Sequence, residues 1–267
     1  MRSLRLEGEQ PRRLAVPAPV RWLSGPILLV LIWLLVTATG WVSSSTLPTI
    51  PDVASVARRL IDRGELQSAL WASLQRVLVG LGIGLAAGLF LAVIAGTFRQ
   101  GQDVIDSTMQ VVKAVPTFAL VPLLIIWMGI YEGPKVALIA LASGWPVYFN
   151  TFGGIRNVDA RLVEAGRTLG LRRWGLIRHV IVPGALPGFL VGLRISLANA
   201  WLALVIAEEI NANNGLGRLL SDARSAARLD TIVFVVVVYA LLGLVSYGVI
   251  RLLEHGLLQW RRGYEGA

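Results

Sequence analysis

Glu164, Arg167, Arg172, Arg173, Arg178 and His179 fall within one run, 163–183, of a chain that is otherwise largely apolar. A single carboxylate among guanidinium groups is chemistry for docking. It forms charge-assisted hydrogen bonds to opposite charges on another surface. Neither His179 nor His255 has the histidine or carboxylate spacing of a metal site. The chain has no cysteine, which excludes disulfides and thiolate chemistry. No serine–lysine pair or metal cluster stands in the apolar runs, so no catalytic residue and no metal ligand is assigned.

Polar groups inside apolar runs form a second set. Arg194 lies roughly 15 Å into its run at the helical rise per residue. An ionisable side chain near the bilayer midplane faces the bundle interior and is functional by default. Two readings stand for it: part of an anion pathway, or a structural arginine bonded to carbonyls freed by Pro116 or Pro122. Asn199, a little over one turn further on, is a candidate to share its face. Thr117 and Phe118, beside Pro116, are candidates for pathway lining and gate, although membrane threonines also bond their own backbone.

Glu208 and Glu209 close the same apolar run and precede INANNGLGRLL. A proton relay is one use of such a pair. The plainer use is to fold an outer loop that closes a channel mouth or meets another protein. Asn213-Asn214-Gly215 reads as a turn, which makes Asn214 an outer-mouth candidate with the two glutamates. Arg76 is expected to snorkel at the outer end of its run, with Asp62 or Glu65 in reach.

The elements that position these residues follow from composition. Of 267 residues, 55% are hydrophobic and 15% charged, against about 25% charged in soluble domains. Apolar runs at 26–42, 70–98, 112–130, 135–152, 184–207 and 231–253 suit a hydrocarbon core about 30 Å thick. They predict an all-α, polytopic membrane protein with six transmembrane helices. A tail at 1–25 precedes a single transmembrane unit at 26–253 that includes the loop 155–183, and a tail at 254–267 follows. The first run is expected to be a retained signal anchor.

Gly80, Gly82, Gly84 and Gly88 permit close helix approach in lipid. Pro116 and Pro122 are read as tolerated inside the third span. Asp52 is read as the cap of a short amphipathic helix before the second. Net charge is +9, with arginines gathered at 2–21, 156–178 and 251–262. By the positive-inside rule, both termini and the loop 155–183 are cytoplasmic. The sequence shows no aromatic-interleaved basic platform, so nucleic acid is not indicated as a partner.

The run 163–183 divides at Gly170, where a positive φ can end a short helix. Leu171, Trp174, Ile177 and Ile181 then mark one apolar face, with Arg172, Arg173, Arg178 and His179 opposite. Pro183 stands where the chain is expected to turn into the fifth span. Two short helices hinged at a glycine make a knob. It suits either anionic lipid headgroups or a protein groove.

Glu164-Ala165-Gly166, three residues, Gly170, nine residues, then Val180-Ile181-Val182-Pro183 resembles the EAA motif of ABC-importer permeases. That motif reads Glu-Ala-Ala, the same two spacings around Gly, then Ile-x-Leu-Pro. Gly166, Val180 and Val182 depart from it, and Gly166 is expected to loosen the first short helix. PTFALVPLLIIWMGI, GIRNVDARLVEAGRTLG, VIVPGALPGFLVGLRISLANAW and AEEINANNGLGRLL look like permease subunits of sulfonate, taurine, nitrate and bicarbonate importers. The likeness spans 47–260 and is greatest to the aliphatic sulfonate permease.

The resemblance implies a type I ABC importer permease fold in the bacterial cytoplasmic membrane. It implies a second copy of the chain, two copies of a separate ABC ATPase and an extracytoplasmic substrate-binding protein. Glu164, Ala165, Gly166, Gly170, Arg172 and Pro183 are then the ATPase-coupling residues. The chain itself would be no enzyme and hold no cofactor, with ATP and magnesium bound by the ATPase. This agrees with the lack of a G-x-x-x-x-G-K-[ST] phosphate loop. The implied cargo is an aliphatic sulfonate, with nitrate, taurine or bicarbonate as alternatives. A secondary transporter is the competing class, and it would show internal repeats, of which the sequence has none.

Overall fold

Helix follows helix through the chain. A computed structural model describes residues 18–43 and 46–258, and no strand occurs among the described residues. The helices are α1 (Ala18–Ala38), α2 (Ile50–Asp62), α3 (Glu65–Thr97), α4 (Arg99–Gly101), α5 (Ser107–Lys113), α6 (Val121–Met128), α7 (Gly133–Arg156), α8 (Ala160–Thr168), α9 (Arg173–Leu176), α10 (Val182–Asn211), α11 (Leu216–Ser225) and α12 (Leu229–Leu257). The basic segments at 1–17 and 259–267, which make up most of the expected tails, lie outside the described residues.

Glycine spacing decides which helices touch. A methyl added at Gly84 would stand 2.5 Å from the carbonyl oxygen of Ala140, and one at Gly88 would stand 2.6 Å from that of Gly144. Gly80 meets Ile139 in the same way, whereas Gly82 faces open space. Positions four apart share a helix face, so three of the expected glycines seat α3 on α7 and the odd one does not. On its other side α7 takes α10, where Gly188 and Gly192 approach the carbonyls of Asn150 and Pro146. Ser196 Oγ donates to the Ser143 carbonyl at 2.5 Å across that second seam. α7 is therefore the central post, clasped between α3 and α10.

Among the described residues, four stretches are long and apolar enough to span a membrane: α3, α7, Arg173–Ile210 and α12. The third expected span is not continuous. Gln102–Lys113 and Thr117–Met128 meet at a bend of 83°. Pro116 is the cause. It disfavours helical geometry at Val115, it has no N–H to donate, and its own ψ of 115° is extended. Pro122 then falls in the first turn of α6, where a missing N–H breaks no helical bond.

α1 also departs from expectation. It begins by Ala18 and ends at Ala38, and Gly40 turns the chain with φ of 68°, so the helix is shifted forward from 26–42. Its apolar side chains are mostly exposed, as a lipid-facing helix requires. Trp33 ties it down through an Nε1–H bond to the Pro48 carbonyl at 3.0 Å. The cap of α2 is Thr49, not Asp52. The Thr49 hydroxyl and the Asp52 carboxylate cap each other's backbone N–H groups, the reciprocal capping box. Val53, Val56 and Leu60 of α2 pack with Leu216 and Leu220 of α11 and Phe234 and Val235 of α12.

The bundle thus has two ends. α3, α7 and α12 finish, and α10 starts, at the end carrying α8 and α9. The other end carries α2, α11 and the turn between α6 and α7.

Candidate functional site

At the first end the knob is built as the spacing demands. The Asp159 carboxylate caps α8 by accepting the Arg161 N–H at 2.9 Å. α8 ends where Leu171 N–H reaches the Gly166 carbonyl at 3.0 Å and Gly170 N–H reaches that of Arg167 at 2.9 Å. This bond pair is the Schellman ending, which requires a left-handed residue, and Gly170 supplies it with φ of 82°. Gly166 is buried beneath Leu176 and Leu171, and a methyl there would lie 2.7 Å from Leu176 Cδ2. The residue expected to loosen α8 is thus the point where α8 presses on the next element.

Pro183 does not turn the chain. Arg173–Ile210 is one apolar helical run, with a π-helical turn at Ile177–Ile181. Pro183 sits in the first turn of α10 just after it. A wider turn relieves the clash of a proline ring with the preceding carbonyls, so the knob continues directly into a membrane helix. Of the expected apolar face, Leu171, Ile177 and Ile181 are partly buried, whereas Trp174 is 81% exposed. Leu169 is 84% exposed beside it. Glu164, Ala165, Arg167 and Arg172 are also exposed, and Glu164 has no ion-pair partner among the described residues. Arg173 lies over the Phe98 ring at 4.7 Å, joining the knob to the end of α3.

The opposite end has the reverse character. Glu208 is fully buried. Its carboxylate accepts from Ser73 Oγ at 2.8 and 2.9 Å, from Arg76 Nη1 at 2.6 Å and from Gly217 N–H at 2.8 Å. Arg76 also donates to the Asn214 carbonyl at 2.6 Å and grips Glu132 through Nε and Nη2 at 2.6 and 3.0 Å. Lys135, itself buried, completes the set on Glu132 at 2.9 Å. The Arg76 guanidinium holds the Glu132 carboxyl down at about 2. Gly215, at φ of 132°, is packed so closely that a methyl would lie 2.4 Å from Glu208 Oε1.

One ion cluster, buried at Glu208, Arg76 and Lys135 and open to the surface at Glu132, therefore binds α3, the α6–α7 turn, α10 and the loop before α11. Glu208 and Asn214 meet here as the sequence suggests. Glu209 does not join them and pairs with Arg224 of α11. Arg76 does not snorkel toward Asp62 or Glu65. Ser73, Arg76, Glu132 and Lys135 were not legible as partners of Glu208. The available signal was that α3 and α10 carry opposite charges within their apolar lengths.

Arg194 and Asn199 do not share a face. Five residues turn a helix by roughly 140° beyond one full turn. Arg194 pairs with Glu254 of α12, 5.8 Å from the Tyr247 ring centroid, and not with carbonyls near Pro116 or Pro122. Asn199 Nδ2 points to the Ala142 carbonyl of α7 at 3.4 Å. Thr117 and Phe118 sit at the 83° bend, the first half-buried and the second 37% exposed.

Residues 84–259 match the family described as binding-protein-dependent transport system inner membrane component. The chain belongs to this family. It is an ABC importer permease, a multi-pass protein of the inner membrane. It is 41% identical to the putative aliphatic sulfonates transport permease protein SsuC of Escherichia coli (strain K12), over 90% of this chain and 91% of that one. Identity to the Bacillus subtilis (strain 168) protein of the same name is 38%, over 92% and 90%. Its fold is similar to that of a chain of the MetNI methionine ABC transporter, solved in inward-facing conformations. The TM-score is 0.64 at 16% identity, covering 72% of this permease and 95% of that chain. These neighbours give the permease the type I importer fold.

Proposed function

We propose that this permease forms, as a pair of identical chains, the channel of an ATP-driven importer for aliphatic sulfonates. The observation that carries the reading is the knob. It offers an exposed carboxylate, Glu164, and two exposed apolar tips, Leu169 and Trp174, on a hairpin fixed by the Schellman ending and joined without a break to α10. A rigid charged projection continuous with a membrane helix transmits force from a partner into the bundle. Two copies of a separate ATPase, which bind ATP and magnesium, supply that force.

Glu164 meets a basic group of the ATPase. Ala165 and Arg172 lie in the same contact. Gly166 and Gly170 shape the hairpin, and Pro183 sets the π-helical turn that links it to α10. Both termini and the knob face the cytoplasm. The far end, with the loop that Glu208 and Asn214 fold and the Glu209–Arg224 pair beside it, faces the extracytoplasmic binding protein. Thr117 and Phe118, at the bend, line the pathway. Arg194 and Asn199, held by Glu254 and Ala142, tie α10 to its neighbours. ATP binding and hydrolysis then favour different bundle states through differential knob contacts.

Sulfonate cargo rests on the two sulfonate permease relatives. Uptake by proteoliposomes holding the permease, its ATPase and the loaded binding protein tests it. Labelled alkanesulfonate is expected to accumulate with ATP. Accumulation of only taurine, nitrate or bicarbonate would reassign the cargo, and uptake without ATP or ATPase would overturn the importer reading.

A further inference from the structure

A cleft of about 230 Å³ opens between α3, α7 and the start of α10. Its walls include Val93, Ile155, Ile177, Ile181 and Phe189, and they are almost wholly apolar. One polar group breaks the pattern. Thr151 lines the cleft, is 3% exposed, and its hydroxyl has no hydrogen-bond partner. Membrane threonines ordinarily bond their own helix, as Thr97 in the same cleft does to the Val93 carbonyl at 2.6 Å. A buried hydroxyl left unpaired is costly, so Thr151 marks a place for an acceptor that the chain itself does not provide.

The surroundings define that acceptor. The cleft lies at the knob end of membrane-spanning helices. Arg156 follows Ile155, Arg178 follows Ile177, and Arg173 covers Phe98, the neighbour of Thr97. All three arginines are exposed. An apolar slot with one hydroxyl in its wall, and exposed arginines next in the chain to its wall residues or stacked beside them, matches a molecule with a hydrocarbon chain, a carbonyl near its head and a negative charge above. Basic pockets between membrane helices recognise such headgroups.

We propose that the cleft holds one acyl chain of an anionic phospholipid. The ester carbonyl accepts the Thr151 hydroxyl, and the phosphate lies among Arg156, Arg173 and Arg178. The bound chain fills the space beside the π-helical turn that joins the knob to α10.

Phosphatidylglycerol with a photoreactive acyl chain tests this in nanodiscs containing the full-length permease with its ATPase. Adducts are expected to concentrate on peptides covering 89–97 and 177–189, above those on the lipid-facing Leu244–Val245 region of α12. Phosphatidylcholine with the same chain should label them less. Val93→Trp, which plugs the slot from an exposed position, should bring adducts at 177–189 to the level of α12. Thr151→Val should keep the fold and reduce phosphatidylglycerol retained through detergent purification about two- to tenfold, by native mass spectrometry. Uniform labelling of all lipid-facing helices, equal labelling by the two lipids, or indifference to both substitutions would overturn the proposal. So would cross-links from this cleft to a second permease chain in place of lipid adducts.

Discussion

The two ends of this permease carry similar side chains in opposite condition. At the knob, Glu164, Arg167 and Arg172 are exposed, and Leu169 and Trp174 stand almost free of the fold. At the far end, Glu208, Arg76 and Lys135 are buried and satisfied within the chain. One set of charges is completed by the fold, and the other waits for a surface outside it. Far-end substitutions should therefore change stability first, and knob substitutions should change coupling with the bundle intact.

Arg76→Gln should have the largest effect on stability. It leaves Glu208 buried and without its main counter-charge, a loss of about 3–5 kcal/mol. The variant should show a sharply lower melting temperature in detergent or fail to accumulate in the membrane. Gly215→Ala comes next. It forces a methyl against Glu208 at φ of 132°, with an expected cost of about 1–3 kcal/mol in the same assay. A melting temperature unchanged by both would remove the distinction between the ends.

Gly166→Ala should have a small effect. The added methyl meets side-chain ends, Leu176 Cδ2 at 2.7 Å, Leu171 Cδ1 at 3.3 Å and Val180 Cγ2 at 3.5 Å, and a gain of about 1 kcal/mol in helix propensity offsets the shift they must make. Smallest is the pH response of Glu132. Its folded pKa of about 2 lies below the ordinary 4.5. The stability it adds is thus full above about 4.5 and lost as pH falls toward 2. The melting-temperature difference between wild type and Glu132→Gln should be flat from pH 8 to 5 and shrink at lower pH.

What the sequence made legible was periodic or locally spaced. The glycines of α3, the hinge at Gly170 and the hairpin around it are short-range patterns; the hinge and hairpin appear in the fold, and of the four glycines Gly80, Gly84 and Gly88 meet α7 while Gly82 faces open space. Pro116 and Pro183 depart from what residue type alone suggests. Pro116 breaks a run whose apolar length suits a continuous span, and Pro183 lies inside a continuous helical run and does not turn the chain. A proline's effect depends on whether the turn before it can widen, and residue type does not state this. Glu208 and Glu209 are adjacent and identical in type, yet one is buried at the centre of a cluster and the other pairs with Arg224 at its edge. Their partners lie on other helices, beyond what local spacing encodes. The Arg194–Glu254 pair was hidden for the same reason.

Glu164→Lys tests the central claim most directly. Glu164 is exposed and its carboxylate has no partner among the described residues, so its reversal should leave stability within about 0.5 kcal/mol of wild type. In proteoliposomes with ATPase and loaded binding protein, uptake should be abolished, either because the ATPase no longer assembles or because it hydrolyses ATP without transport. Wild-type uptake by this variant would contradict the account of the knob as the handle of the permease.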